Sequence, residues 1–153
     1  MKEEEHVAPG YYGQIVQAKL RQGVSWSELA ELIGRPEVWT VAALLGEHPI
    51  VLDDAMKILR SLGLDESEAY MLTATPYRGS SQTSPPTDPT IYRFHEALLV
   101  YGPALKELIH EKFGDGIMSA INFSIEVDRK DDPAGDRVLV TMSGKFLAYE
   151  WNA

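Results

Sequence analysis

Cysteine is absent from the 153 residues. That excludes disulfides, thiolate metal ligands and a cysteine nucleophile. It fits a reducing compartment, so a cytoplasmic location is expected. Long apolar runs are missing too: nothing approaches the ~18 residues of a membrane span. The first residues, Met1-Lys2-Glu3-Glu4-Glu5, are acidic where a secretory signal would be basic and then apolar. Basic charge is scarce. Fourteen Lys and Arg stand against 23 Asp and Glu, for a net charge of −9. Residues 1–80 carry seven basic and twelve acidic side chains, and residues 81–153 carry seven and eleven. Neither part has the basic surplus that a phosphate backbone demands, so no nucleic-acid partner is expected, and no membrane partner either. An anionic ligand would have to be held by a local site against the overall field.

What is present reads as globular: 44% of residues are apolar and 24% charged. A chain this long can bury about 70% of its unfolded surface. The breakers Pro9-Gly10 precede a helix expected over Tyr11–Arg21. Ser25, with Glu28 three residues on, forms a capping box for a helix over Trp26–Ile33, which Gly34 stops. Further helices are expected over Pro36–Leu45, Leu52–Leu62 and Asp65–Ala74, punctuated by Gly46 and Gly63. Pro76–Pro89 then holds four prolines, one glycine, three serines and two threonines, the composition of a linker arm. Asp88 is suited to cap a helix over Pro89–Tyr101, with Gly102-Pro103 breaking it before another helix to Phe113. Ile117–Lys130 alternates as a strand. Asp131–Gly135 reads as a turn, Arg137–Met142 as a second strand, Ser143-Gly144 as a turn and Phe146–Trp151 as a third strand.

The expected fold class is α+β. An all-helical, helix-turn-helix-like bundle over residues 1–75 is followed by an arm over 76–89. A small domain of helix and antiparallel sheet covers 90–153. So few strands are marginal alone, so the sheet needs the helices or another subunit to cover it.

Several constellations can be weighed. The would-be recognition helix Glu37–Leu45 has no Arg, Lys, Asn or Gln to read a base edge. Only Arg35 and Thr40 could help, so packing or assembly is the preferred use of the bundle. His95-Glu96 and His110-Glu111 each begin like a zinc-protease helix, but the positions four beyond each histidine are Leu99 and Gly114, so no metal site is expected. Gly114-Asp115-Gly116 follows a helix rather than a strand, and reads as a cap and turn rather than a nucleotide loop. Ser119 lacks the Gly-x-Ser-x-Gly elbow of a hydrolase nucleophile, which leaves it a polar strand residue or a substrate ligand. Arg93 and Glu96 are neighbours three apart on a helix that is otherwise apolar nearly all round: Ile91, Tyr92, Phe94, Leu98, Leu99 and Tyr101. An exposed ion pair, buried structure and a site all remain open on this pattern.

The stretches Pro86-Thr87-Asp88-Pro89-Thr90-Ile91-Tyr92-Arg93-Phe94, Val100-Tyr101-Gly102, His110 through Ile117, Ser119-Ala120-Ile121-Asn122-Phe123 and Gly144-Lys145 closely resemble the cyanase family (cyanate hydratases, also called cyanate lyases). Ala42-Ala43-Leu44-Leu45-Gly46 and Arg78-Gly79 extend the likeness more loosely into the first part. The resemblance implies catalytic Arg93, Glu96 and Ser119, with substrate held by Arg93, Ser119, Ala120 and Ile117. It implies bicarbonate as co-substrate for cyanate, carbamate as intermediate, and no metal or organic cofactor. It also implies a homodecamer of five dimers, with C-terminal sheets interlocked between chains, active sites between subunits, and a helical bundle not used on DNA. His95 departs from the family's tyrosine, and the tail Ala148–Ala153 is unlike its usual form.

Two other classes are compatible with the sequence: a regulator that senses a small anion through the helix-turn-helix-like bundle, and an inactive assembly protein that keeps the fold.

Overall fold

The first helices form because apolar residues recur at helical spacing between well-defined caps. In this computed structural model, which describes residues 8–76 and 84–151, α1 spans Ala8–Gln22, α2 Trp26–Ile33, α3 Glu37–Leu44 and α4 Leu52–Leu62. Helix α1 begins before the expected Tyr11. Pro9 falls in its first turn, where a missing N–H has no intrahelical acceptor to lose, so Pro9-Gly10 does not delay it. The capping box of α2 is complete: Glu28 N–H donates to Ser25 Oγ at 3.1 Å, and Ser25 N–H donates to the Glu28 carboxylate at 2.6 Å. Gly34 and Gly63 close α2 and α4 in the left-handed region, at φ +63° and +68°.

Helix α4 shows why the bundle holds. Ala55, Ile58, Leu59 and Leu62 lie on one stripe and are all buried. They meet Tyr11 and Ile15 of α1, Leu29 and Ile33 of α2, and Leu44 of α3 in one apolar core. Thr40 is fully buried within α3, and its hydroxyl donates to the Pro36 carbonyl at 2.9 Å, so no polar atom there is orphaned.

The fifth helix, expected as Asp65–Ala74, is instead a 3₁₀ turn over Glu66–Ala69 leading into the short α5, Tyr70–Thr73. Asp65 accepts the N–H of Ser67, two residues on, which favours a tight turn. Glu66 is gripped by both Arg60 Nε and Nη2, at 2.9 and 2.8 Å.

Two further corrections concern the second part. Gly102-Pro103 does not break the helix: α6 runs unbroken from Pro89 to Phe113, 25 residues. The clash that drives the residue before a proline out of helical geometry falls partly on its Cβ, which Gly102 lacks. Ser143-Gly144 is not a turn and there is no third strand among the described residues. The sheet has two antiparallel strands, β1 (Gly116–Lys130) and β2 (Arg137–Ala148). Gly144 keeps β2 going where close approach of β1 forbids a side chain: a Cβ there would strike the Met118 side chain and the Ser119 carbonyl oxygen. The turn between the strands is built on Asp132, which accepts Ala134 N–H at 2.9 Å and Arg137 Nε–H at 3.2 Å.

By packing, the chain divides into two units. Of the described residues, one takes in 8–76 with 125–141, the other 84–124 with 142–151. Residues 77–83 of the arm expected over Pro76–Pro89, Arg78-Gly79 among them, and the acidic first residues lie outside the described residues. No described helix is long and apolar enough to cross a membrane.

Tyr11 gives the bundle a pH signature. Its ring is buried and its hydroxyl has no hydrogen-bond partner among the described residues. Burial, helped by the nearby Glu68 carboxylate, pushes its pKa up from 10.0 to about 12. The folded chain thus keeps a proton that the unfolded chain loses first. The resulting stability is complete below pH 10.0 and disappears as pH climbs towards about 12. Tyr11→Phe is expected to flatten that alkaline loss in urea melts, and an unchanged alkaline loss would remove Tyr11 as its source.

Candidate active site

Helix α6 carries the charged pair. Asp88 caps it, its carboxylate accepting the N–H groups of Thr90 and Ile91 at 2.9 Å each, and Pro89 occupies the first turn. One turn on, Arg93 Nη1 donates to Glu96 Oε2 at 2.7 Å. The two side chains are 72% and 47% exposed, so within one chain the pair is open to solvent rather than buried. Such a pair contributes at most ~1 kcal/mol and is screened by salt. Nor is the apolar remainder of the helix covered, for α6 has no buried residue. His95, between the two charges in sequence, lies beside Tyr92 with ring centroids 5.8 Å apart.

Ser119 sits on β1 and is only 6% exposed. Its Oγ accepts the N–H groups of Ile121 and Asn122, both at 3.0 Å. The hydroxyl therefore has its oxygen anchored and its proton free to donate. Ile117 and Ala120, expected to help bind substrate, flank it on the same strand and are exposed. The base of the hairpin is tied to the end of α6. His110 Nε2 lies 3.2 Å from the Gly116 carbonyl oxygen, and Phe113 stacks on Phe146 at 5.2 Å. At the tail, Trp151 Nε1 donates to the Asp115 carboxylate at 3.0 Å.

The structure thus brings Arg93 and Glu96 together, and builds Ser119 into a local cradle. Among the described residues no hydrogen bond or ion pair joins Ser119 to the Arg93–Glu96 pair. Sequence reasoning missed the two backbone donors behind Ser119, and missed Gly144 facing it. The Ser-x-x-Asn spacing and an unexplained glycine were the available signals. No described group of three or more His, Asp or Glu is arranged to hold a metal ion.

The family model for the cyanate lyase C-terminal domain matches residues 83–151, and that for the cyanate hydratase N-terminal region matches residues 12–76. A cyanate hydratase from Mycolicibacterium vanbaalenii is 59% identical over 140 residues, covering 92% of each chain. One from Dechloromonas aromatica is 49% identical over 136 residues, covering 89% of this chain and 92% of that one. The chain belongs to the cyanate lyase family. The crystal structure of cyanase from T. urticae has the same fold, with a TM-score of 0.81 at 38% identity, covering 92% of this chain and 98% of that one.

Within this cyanate lyase fold, Asp88 holds the first turn of the helix that carries Arg93. Asp88→Ala leaves two N–H groups without their acceptor and is expected to cost about 1 kcal/mol in denaturant melts. An unchanged midpoint would show that the first turn of α6 is held by something else.

Proposed function

We propose that the chain is a cyanate hydratase that decomposes cyanate with bicarbonate to ammonia and carbon dioxide. The observation that carries this is 59% identity to a cyanate hydratase across 92% of both chains. Bicarbonate oxygen attacks the cyanate carbon and forms a C–O bond. The adduct is a dianion. It takes up a proton and loses carbon dioxide to leave carbamate, which takes up a second proton and separates into ammonia and a second carbon dioxide. The ammonia ties the reaction to nitrogen metabolism and cyanate detoxification. No metal or organic cofactor is required by this sequence of steps.

The residues suit that chemistry. Two anions repel, and their adduct concentrates both charges. Arg93 offers a planar fork that matches carboxylate oxygens. Its partner Glu96 cancels that charge within one chain, so a dianion needs at least two Arg93 side chains from different copies, in a site dry enough for them to count. Glu96 then orients an arginine or carries a proton. Ser119, with neighbouring backbone N–H groups of Ile117 and Ala120, holds a remaining oxygen or nitrogen. Bringing two small anions together supplies much of the rate. The oligomer that does so is a decamer of interlocked dimers in this reading. The uncovered apolar residues of α6 and the two-stranded sheet support an assembly of this kind.

The regulator reading is disfavoured by geometry. Thr40 is buried with its hydroxyl engaged, and the Arg35 guanidinium lies over the Trp39 ring at 5.1 Å. Thr40 is thus withheld from a groove, and Arg35 alone is left as a base reader.

Ammonia release from cyanate, followed on metal-stripped protein with and without bicarbonate, tests the proposal. Turnover that requires bicarbonate is expected; its absence in the intact assembly would contradict the reading. Arg93→Ala is expected to lower kcat/KM by about 10²-fold or more without altering assembly. Full turnover by that variant would remove Arg93 from the site.

A further inference from the structure

We propose that Gly144 is a positioning residue for Ser119: it lets β2 approach β1 closely enough that the Ser119 oxygen stays seated on two backbone N–H groups and the hydroxyl acts only as a donor. The inference rests on the cyanate hydratase reading and adds a residue and a direction of hydrogen bonding to it.

The first half of the argument is the hydroxyl itself. A serine hydroxyl has one hydrogen to donate and two lone pairs to accept with. Ile121 and Asn122 N–H both donate to the Ser119 oxygen, at 3.0 Å each. Both lone pairs are therefore occupied. Hydrogen bonds accepted by an oxygen polarise its own O–H and make it a better donor. Such a hydroxyl suits an acceptor that gains negative charge, as the oxygen and nitrogen of the adduct do. It is ill suited to attack cyanate carbon, because neither lone pair is free.

The second half is Gly144. Its backbone is not in the left-handed region that ordinarily explains a glycine. The explanation is proximity. An added Cβ would meet Met118 Cγ and the Ser119 carbonyl oxygen at impossible distances. The methionine side chain could swing away, but the carbonyl belongs to the strand. Relief requires the strands to part at Ser119, and the proposal is that β1 yields, carrying with it the oxygen that Ile121 and Asn122 hold. Gly102 offers a contrast, since a Cβ there meets nothing within 4 Å.

The test compares wild type, Gly144→Ala, Ser119→Ala and the double variant as assembled oligomers, with mass checked by light scattering. Bicarbonate-dependent ammonia release is the first readout. Each single variant is expected to lose about tenfold or more in kcat. In the Ser119→Ala background, Gly144→Ala is expected to change kcat by no more than about twofold, because its effect passes through the hydroxyl already removed. Wild-type activity in Gly144→Ala overturns the proposal, and so does an equal loss with and without Ser119. Hydrogen exchange read by mass spectrometry is the second readout. Peptides covering Ile121 and Asn122 are expected to exchange faster in both single variants than in wild type, and unchanged exchange overturns the proposal. Wild type without turnover would fail the activity reading instead, and exchange would then decide the role of Gly144. If Gly144→Ala does not assemble, exchange in Ser119→Ala decides whether the oxygen is seated as described.

Discussion

In the proposed mechanism each chain brings one guanidinium, that of Arg93, and it already faces a carboxylate 2.7 Å away. The pair sums to nearly zero charge and stands in solvent, where ion pairs are weak. A dianion cannot be held by that. In a dry setting the same groups would interact far more strongly, and a second arginine would tip the balance towards the adduct. Charge balance therefore asks for more than one copy of Arg93. The exposure of the pair in the single chain is what a site completed by another copy would leave behind.

The two parts of the chain differ in the same sense. The helical bundle encloses its own core, from Ile15 through Leu59 to Leu72, and its buried threonine is satisfied. Around α6 and the sheet, apolar residues are uncovered. Leu99 is 64% exposed, Val138 76% and Ile121 98%. Local ties nevertheless fix the second part: the Asp88 cap, the Phe113–Phe146 stack, the His110–Gly116 contact and the Trp151–Asp115 hydrogen bond. These ties are enough to shape the helix end and the strand base, though not to dry them.

Caps and stripes were legible in the sequence because they are local. Ser25 with Glu28, Asp88 with Pro89, and the spacing of Ala55, Ile58, Leu59 and Leu62 each encode a result within a few residues. Gly102-Pro103 and Ser143-Gly144 were misread for one reason: glycine was taken as a breaker when it was relieving a clash. At Gly102 the clash is with the next residue's proline ring. At Gly144 it is with a residue of the facing strand, 25 positions away in sequence and invisible to any local window. Among the site residues, the Arg93–Glu96 pair follows from helical spacing. The seating of Ser119 on Ile121 and Asn122 N–H does not, since two-residue alternation says nothing of a side chain that accepts from backbone groups two and three positions on.

If charge balance governs the site, activity belongs to the assembly and not to the chain. The direct measurement is specific activity, as bicarbonate-dependent ammonia release, followed together with molar mass as the protein is dissociated by dilution or mild urea. Helical content would be monitored so that only folded chains are compared. The account predicts that turnover disappears with the last multi-chain species. A folded single chain with the full specific activity of the assembly would contradict it.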